Sequence, residues 1–158
     1  MGSFLKTKKM RTIKHIVLHC TATPQNASID SIKNYWKTQL GWKNPGYHFM
    51  IQADGKVVET LPISQIANGV KGHNAHSIHI AYIGGVKGGK AIDNRTKAQR
   101  QAMLALLCKL RPRFSNAEIL GHRDLSPDLN NNGIIEPWEW TKECPSFDVR
   151  KWLKDLKF

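Results

Sequence analysis

The sequence predicts a mixed α/β domain: a central β-sheet of mixed strand direction, flanked by helices, with a cleft at its strand ends. Three observations carry this. Apolar runs of strand length alternate with segments of helical periodicity. Turn and cap residues punctuate them. The resulting order, β-α-β-β-β-α-β-α, requires helices packed on a sheet. A chain of 158 residues suits one domain with a real core. We divide it into residues 1–11, a basic N-terminal arm or expression remnant, and a single folded domain over 12–158.

The elements follow in order. Thr12–Cys20 reads as a buried strand, because Ile13, Ile16, Val17 and Leu18 form a nearly continuous apolar run. Ser28 or Asp30 opens a helix through Leu40, with Ile29, Ile32, Tyr35, Trp36 and Leu40 on one side and Gly41 as its C-terminal cap. Tyr47–Gln52 and Lys56–Leu61 flank Ala53-Asp54-Gly55, a hairpin signal. Ser77–Ile83 alternates and stops at Gly84-Gly85. Thr96 with Gln99 resembles a capping box, starting a helix through Leu110. Met103, Leu104, Leu106, Leu107 and Leu110 face inward on it. Ala117–Gly121 is a short strand delivering His122. Ser146 or Asp148 caps a last helix whose stripe is Val149, Trp152 and Leu156.

Hydrophobic residues make up 41% of the chain, too many for disorder. No stretch approaches the roughly 20 apolar residues of a membrane span. The N-terminus is basic without an apolar core behind it, so it does not read as a signal peptide. The net charge of +12 points to an anionic partner or to a solvated basic surface. Nucleic acid is disfavoured, since basic and aromatic residues are not interleaved. We expect a monomer. Three cysteines, none at zinc-ribbon or redox spacing, argue against a disulfide framework and for one cysteine as a metal ligand.

His19, His122 and Cys144 are the metal candidates. A catalytic zinc usually takes three protein ligands and leaves a fourth position for water. His19 closes a hydrophobic strand, where a lone histidine is more often a satisfied core residue. His15 shares its face, four residues deeper. Cys20 points to the opposite face of the sheet and Cys108 lies on a helix stripe, so both read as small packing residues. Cys144 stands in a polar irregular segment before Pro145. Lys142, at i−2 in an extended stretch, shares its side, and a nearby cation favours a thiolate.

In order along the chain come Leu-His-Cys-Thr-Ala-Thr, Gly-Trp-Lys-Asn-Pro-Gly-Tyr-His-Phe, Asp-Gly-Lys-Val, His-Ser-Ile-His-Ile-Ala-Tyr-Ile-Gly-Gly, Gly-His-Arg-Asp and Cys-Pro-Ser-Phe-Asp. This series resembles the zinc N-acetylmuramoyl-L-alanine amidases of the phage-lysozyme type, related to peptidoglycan recognition proteins. The resemblance runs from about Thr12 to Leu156. It implies Zn2+ on His19, His122 and Cys144, with Tyr47 and Lys142 at the family's catalytic tyrosine and lysine. It implies hydrolysis of the amide between N-acetylmuramic acid and L-alanine in peptidoglycan, a substrate of the periplasm or cell wall. The alternative is a module that binds peptidoglycan without cutting it. Such relatives usually lack the cysteine that Cys144 supplies. Lys43, Lys71 and Arg123 are candidates for holding substrate carboxylates. One departure stands out: Gly69 falls where some phage members carry a histidine, and His73 and His76 are out of register with it.

Asp128, Asn130, Asn132 and Glu139 sit at positions one, three, five and twelve of a calcium-loop pattern. Gly133 supplies the turn, and Ile134 would offer its backbone carbonyl. We read Ca2+ as a second candidate ion. The other reading is a polar insertion closed by Asx turns.

Overall fold

The computed structural model describes residues 10–158. Most of the 1–11 arm therefore lies outside the described residues. In chain order, β1 spans His15–Cys20, α1 Ile29–Thr38, β2 Phe49–Ile51, β3 Val57–Glu59 and β4 Ser77–Tyr82. A small hairpin follows, β5 at Val86–Lys87 and β6 at Lys90–Ala91, then α2 at Lys97–Leu110, β7 at Glu118–Gly121 and α3 at Val149–Asp155.

The main sheet has the order β3-β2-β4-β1-β7. β1 runs parallel to both β4 and β7, β2 runs parallel to β4, and β3 alone is antiparallel. The strand period of two splits β1 between two environments. Ile16, Leu18 and Cys20 join Ile78, Ile80 and Tyr82 of β4 in a core closed by Met103 and Leu107 of α2 and Leu153 of α3. Val17 lies on the other face, with Leu120 and Val70. There α1 contributes Ile32 and Trp36 to a second cluster with Met50 and Ile83. The mixed sheet and covering helices are those expected from the sequence.

Several local expectations shift, each for a physical reason. The capping box forms as read, with the Thr96 hydroxyl accepting from the Gln99 N–H at 3.0 Å and the Gln99 side chain accepting from the Thr96 N–H at 3.0 Å. Helix α1 stops at Thr38 because Gly41, at φ 66°, turns the chain so that the Trp42 N–H returns to the Trp36 carbonyl at 3.0 Å. Tyr35 and Leu40 are consequently exposed. Helix α3, capped by Asp148, ends before Leu156, and Leu153 takes the buried position instead. Cys108 is exposed, because the buried stripe of α2 runs through Met103, Leu106, Leu107 and Leu110. Strand β4 is buried along its whole length, as a strand paired on both sides and covered on both faces must be. The β5–β6 hairpin was not expected. Gly88 and Gly89, at φ 58° and 74°, give it the left-handed two-residue turn such hairpins use.

Arg11, the last residue assigned to the arm, is tied to the sheet. Its guanidinium donates to the carbonyls of Ile63 at 3.0 Å, Asn74 at 3.1 Å and Ser77 at 2.9 Å.

Candidate metal centre

Parallel strands gather their carboxyl ends at one edge of a sheet, and such an edge opens onto a crevice. His19 lies one residue from the end of β1, and His122 follows β7 directly. Cys144 arrives from the loop ahead of α3, next to a cis peptide bond at Pro145. Two backbone links lock that loop to the strands. The Cys20 N–H donates to the Cys144 sulfur at 3.3 Å, and the Arg123 N–H donates to the Cys144 carbonyl at 2.9 Å.

The ligand atoms of His19, His122 and Cys144 all lie within 4.8 Å of one another. The His19 Nδ1 stands 3.6 Å from the Cys144 sulfur. Zinc with Zn–S of about 2.3 Å and Zn–N of about 2.0–2.1 Å, at a tetrahedral angle, requires a spacing of about 3.5 Å between those atoms. The donor set fits as well, since two imidazoles and one sulfur suit a borderline-soft dication. Burial holds His19 well below the ordinary histidine pKa, helped by His79, His122 and Lys142. Burial also pushes His122 down to about 4. Both rings therefore keep a lone pair at neutral pH. Burial drives the Cys144 thiol well above its usual value, so occupation by a cation releases its proton.

Tyr47 lies against the centre, its ring 4.9 Å from that of His19 and edge-on to Trp36 at 5.3 Å. Its hydroxyl donates to the Cys20 carbonyl at 3.3 Å. Burial pushes the phenol well above its usual pKa, so it remains a donor. Lys142 lines the same cavity as Tyr47, His122 and Cys144, with a volume of ≈ 360 Å³. That cavity shares Trp42, Asn68, Gly69, His122 and Lys142 with a larger groove of ≈ 610 Å³. His122 and Cys144 thus line an open cleft, and His19 is buried beside them.

The other candidates divide. Lys71 lines the large groove. Lys43 borders a separate hollow against α1, with Trp36 and Trp42. Arg123 lays its guanidinium 3.8 Å over the Trp140 ring. His15 is four residues below the ligands, with its Nδ1 buried and unpartnered. Cys20 is buried on the α2 side, as its alternation requires.

The 128–139 segment folds as consecutive Asx turns. The Asn132 N–H donates to the Asn130 side chain at 3.2 Å, the Ile134 N–H to Asn132 at 2.9 Å and the Gly133 N–H to Asp128 at 2.7 Å. The Glu139 carboxylate accepts from the N–H groups of Leu129 and, at 3.0 Å, Glu136. Asp128 Oδ1 is buried without a hydrogen-bond partner.

Sequence reasoning missed two residues beside the centre. His79 of β4 places its Nδ1 2.8 Å from the His19 Nε2, and Asn74 places its Oδ1 2.9 Å from the His79 Nε2. The signal was present in Gly69. A Cβ there would come within 2.3 Å of the His79 ring, so glycine at 69 and histidine at 79 go together.

Comparison with known proteins agrees with this geometry. Residues 9–146 match the family model for N-acetylmuramoyl-L-alanine amidase. The endolysin of Klebsiella phage KP32 is 33% identical over 149 residues, covering 92% of this chain and 88% of the phage protein. An uncharacterized protein of Haemophilus influenzae is 46% identical over 101 residues, 63% of this chain and 87% of its own length. Among solved structures, the endolysin of Thermus scotoductus bacteriophage Ph2119 superposes with a TM-score of 0.70 at 26% identity, covering 91% of this chain and 84% of that one.

Proposed function

We propose a division of labour for this chain, which belongs to the N-acetylmuramoyl-L-alanine amidase family and cleaves the amide joining N-acetylmuramic acid to L-alanine in peptidoglycan. His19, His122 and Cys144 hold zinc, and Tyr47 and Lys142 stabilise the charge that the reaction develops. The observation that carries this reading is the meeting of two imidazoles and a sulfur within 4.8 Å, with His122 and Cys144 lining an open groove.

Bound there, zinc supplies Lewis acidity toward a water molecule and a carbonyl oxygen. The protein's own residues supply the rest. Negative charge grows on the amide oxygen as the carbonyl is attacked, and a fixed donor aimed at that oxygen lowers the barrier. The Tyr47 hydroxyl, whose one proton rests on the Cys20 carbonyl, becomes such a donor by turning that proton to the amide oxygen. The Lys142 ammonium, lining the same cavity, adds positive charge, and it or Tyr47 gives the departing amine its proton. Lys71 along the groove, and the chain's net charge of +12, suit the carboxylates of peptide stems.

The deciding experiment is digestion of purified peptidoglycan with and without a chelator, with mass spectrometry of the released stems. Stems bearing a free L-alanine amine, lost with chelator and regained with zinc, support the reading. Binding to peptidoglycan without release favours the non-catalytic module. For the 128–139 loop we propose calcium, on the buried, unpaired Asp128 Oδ1 inside a set of Asx turns.

A further inference from the structure

We propose that His79 is a positioning residue for the metal centre: it fixes which nitrogen of His19 carries the proton and so presents the other to the metal. The inference rests on the reading of His19 as a ligand.

Asn74 Oδ1 accepts the Val70 N–H at 2.8 Å, which fixes the amide oxygen on that side. The same oxygen lies 2.9 Å from the His79 Nε2. An amide oxygen only accepts, so the His79 Nε2 carries hydrogen. The ring of His79 touches Asn74, His19, His48 and Gly69, none of them acidic, and its neutral form leaves a lone pair on Nδ1. That lone pair faces the His19 Nε2 at 2.8 Å. His19 therefore donates from Nε2, and its Nδ1 is bare. It is Nδ1 that stands 3.6 Å from the Cys144 sulfur. Partners of this kind set the tautomer and ring orientation of metal-binding histidines, and losing one typically lowers metal affinity about 10–100-fold.

Packing holds the relay in place. His79 is fully buried, stacked on the His48 ring at an interplanar angle of 4° with 5.9 Å between centroids. Gly69 closes the other side, and a Cβ there would meet the ring at 2.3 Å. Gly69→Ala is therefore a second way to disturb the same contact without touching either histidine.

The test measures zinc affinity by chelator competition for the unmutated protein, His79→Ala, His79→Asn and Gly69→Ala. Unfolding of each zinc-free form serves as the structural control. We expect His79→Ala and Gly69→Ala each to weaken zinc about 10–100-fold. The pair combined should lose little more than either alone, since both act through one contact. His79→Asn keeps an acceptor for the His19 Nε2 and should stay within about threefold of the parent, against the tenfold or greater loss typical of a missing partner. Long-range proton–nitrogen correlation on the unmutated zinc-free protein should show His19 as the Nε2–H tautomer. Parental affinity in His79→Ala, an Asn variant as weak as Ala, or an Nδ1–H tautomer at His19 would each overturn the inference. A parent that binds no zinc overturns the metal reading itself, and the inference with it.

Discussion

The backbone N–H of Cys20 donates to the sulfur of Cys144 across 124 positions of sequence, at 3.3 Å. A rigid strand end thus hands a hydrogen bond to the sulfur proposed as a ligand, which is carried by a loop. The Tyr47 hydroxyl closes on the carbonyl of the same Cys20. One residue of β1 therefore contacts both the proposed ligand sulfur and the proposed oxyanion donor with its backbone alone.

Replacing the sulfur separates ligation from folding. Cys144→Ser should fold, because the site is bounded by backbone links that survive it. It should lose stoichiometric zinc after dialysis, and peptidoglycan cleavage should fall at least a hundredfold, the scale on which catalytic groups are felt. Metal analysis alongside turbidity assays checks this. Full zinc retention would remove Cys144 from the ligand set.

Tyr47→Phe and Lys142→Ala should each bind zinc with parental affinity yet lose about a hundredfold or more in kcat. A missing oxyanion donor typically costs roughly 3 to 4 kcal/mol. Steady-state kinetics on a soluble muropeptide reads this directly, and turnover near that of the parent would take the residue out of the mechanism.

The zinc-free protein should lose stability in acid. Burial pushes His48 and His122 down to about 4, and His19 and His79 also lie below the ordinary value. Near pH 6.5 the unfolded chain takes up protons that the folded one refuses, so stability is complete above that pH. It declines as the pH falls toward 4, by about 1.4 kcal/mol per pH unit for each histidine that titrates only in the unfolded state. Denaturant titrations with chelator from pH 7.5 to 4.5 test the sign, and a flat profile contradicts it.

Calcium should raise the melting temperature, and Asp128→Ala should abolish the rise. Position one of such a loop supplies a charged ligand, and removing it lowers the ligand charge that tunes calcium affinity. Thermal melts with calcium or chelator decide this, and equal melting temperatures in both would leave the segment as a self-closed polar loop.

Much of this was legible in the residues. His19, His122 and Cys144 could be picked out because short motifs, each weak alone, occur in order along the chain. Thr96 and Gln99 announced the start of α2 through chemistry local to four residues. What escaped was set by distant contacts. Leu156 fits the stripe of α3 by spacing, yet the helix ends before it and Leu153 fills the core. His79 sits in a strand whose apolar neighbours gave no hint that its ring reaches His19 on the adjacent strand. The steric exclusion that pairs Gly69 with His79 appears once the 68–72 loop is folded over the sheet.

The bond from the Arg123 N–H to the Cys144 carbonyl, with that from the Thr141 N–H to the Ser126 hydroxyl at 3.1 Å, fastens the base of the long excursion between the second and third ligands. The ends of the excursion stay at the groove, where Pro127, Thr141 and Lys142 line it, while its outer turns lie beyond those ties. The outer turns over 128–139 could be lengthened, shortened or re-equipped with His19, His122 and Cys144 keeping their spacing. They are the place where this scaffold can acquire new attachments without relearning how to grip its cation.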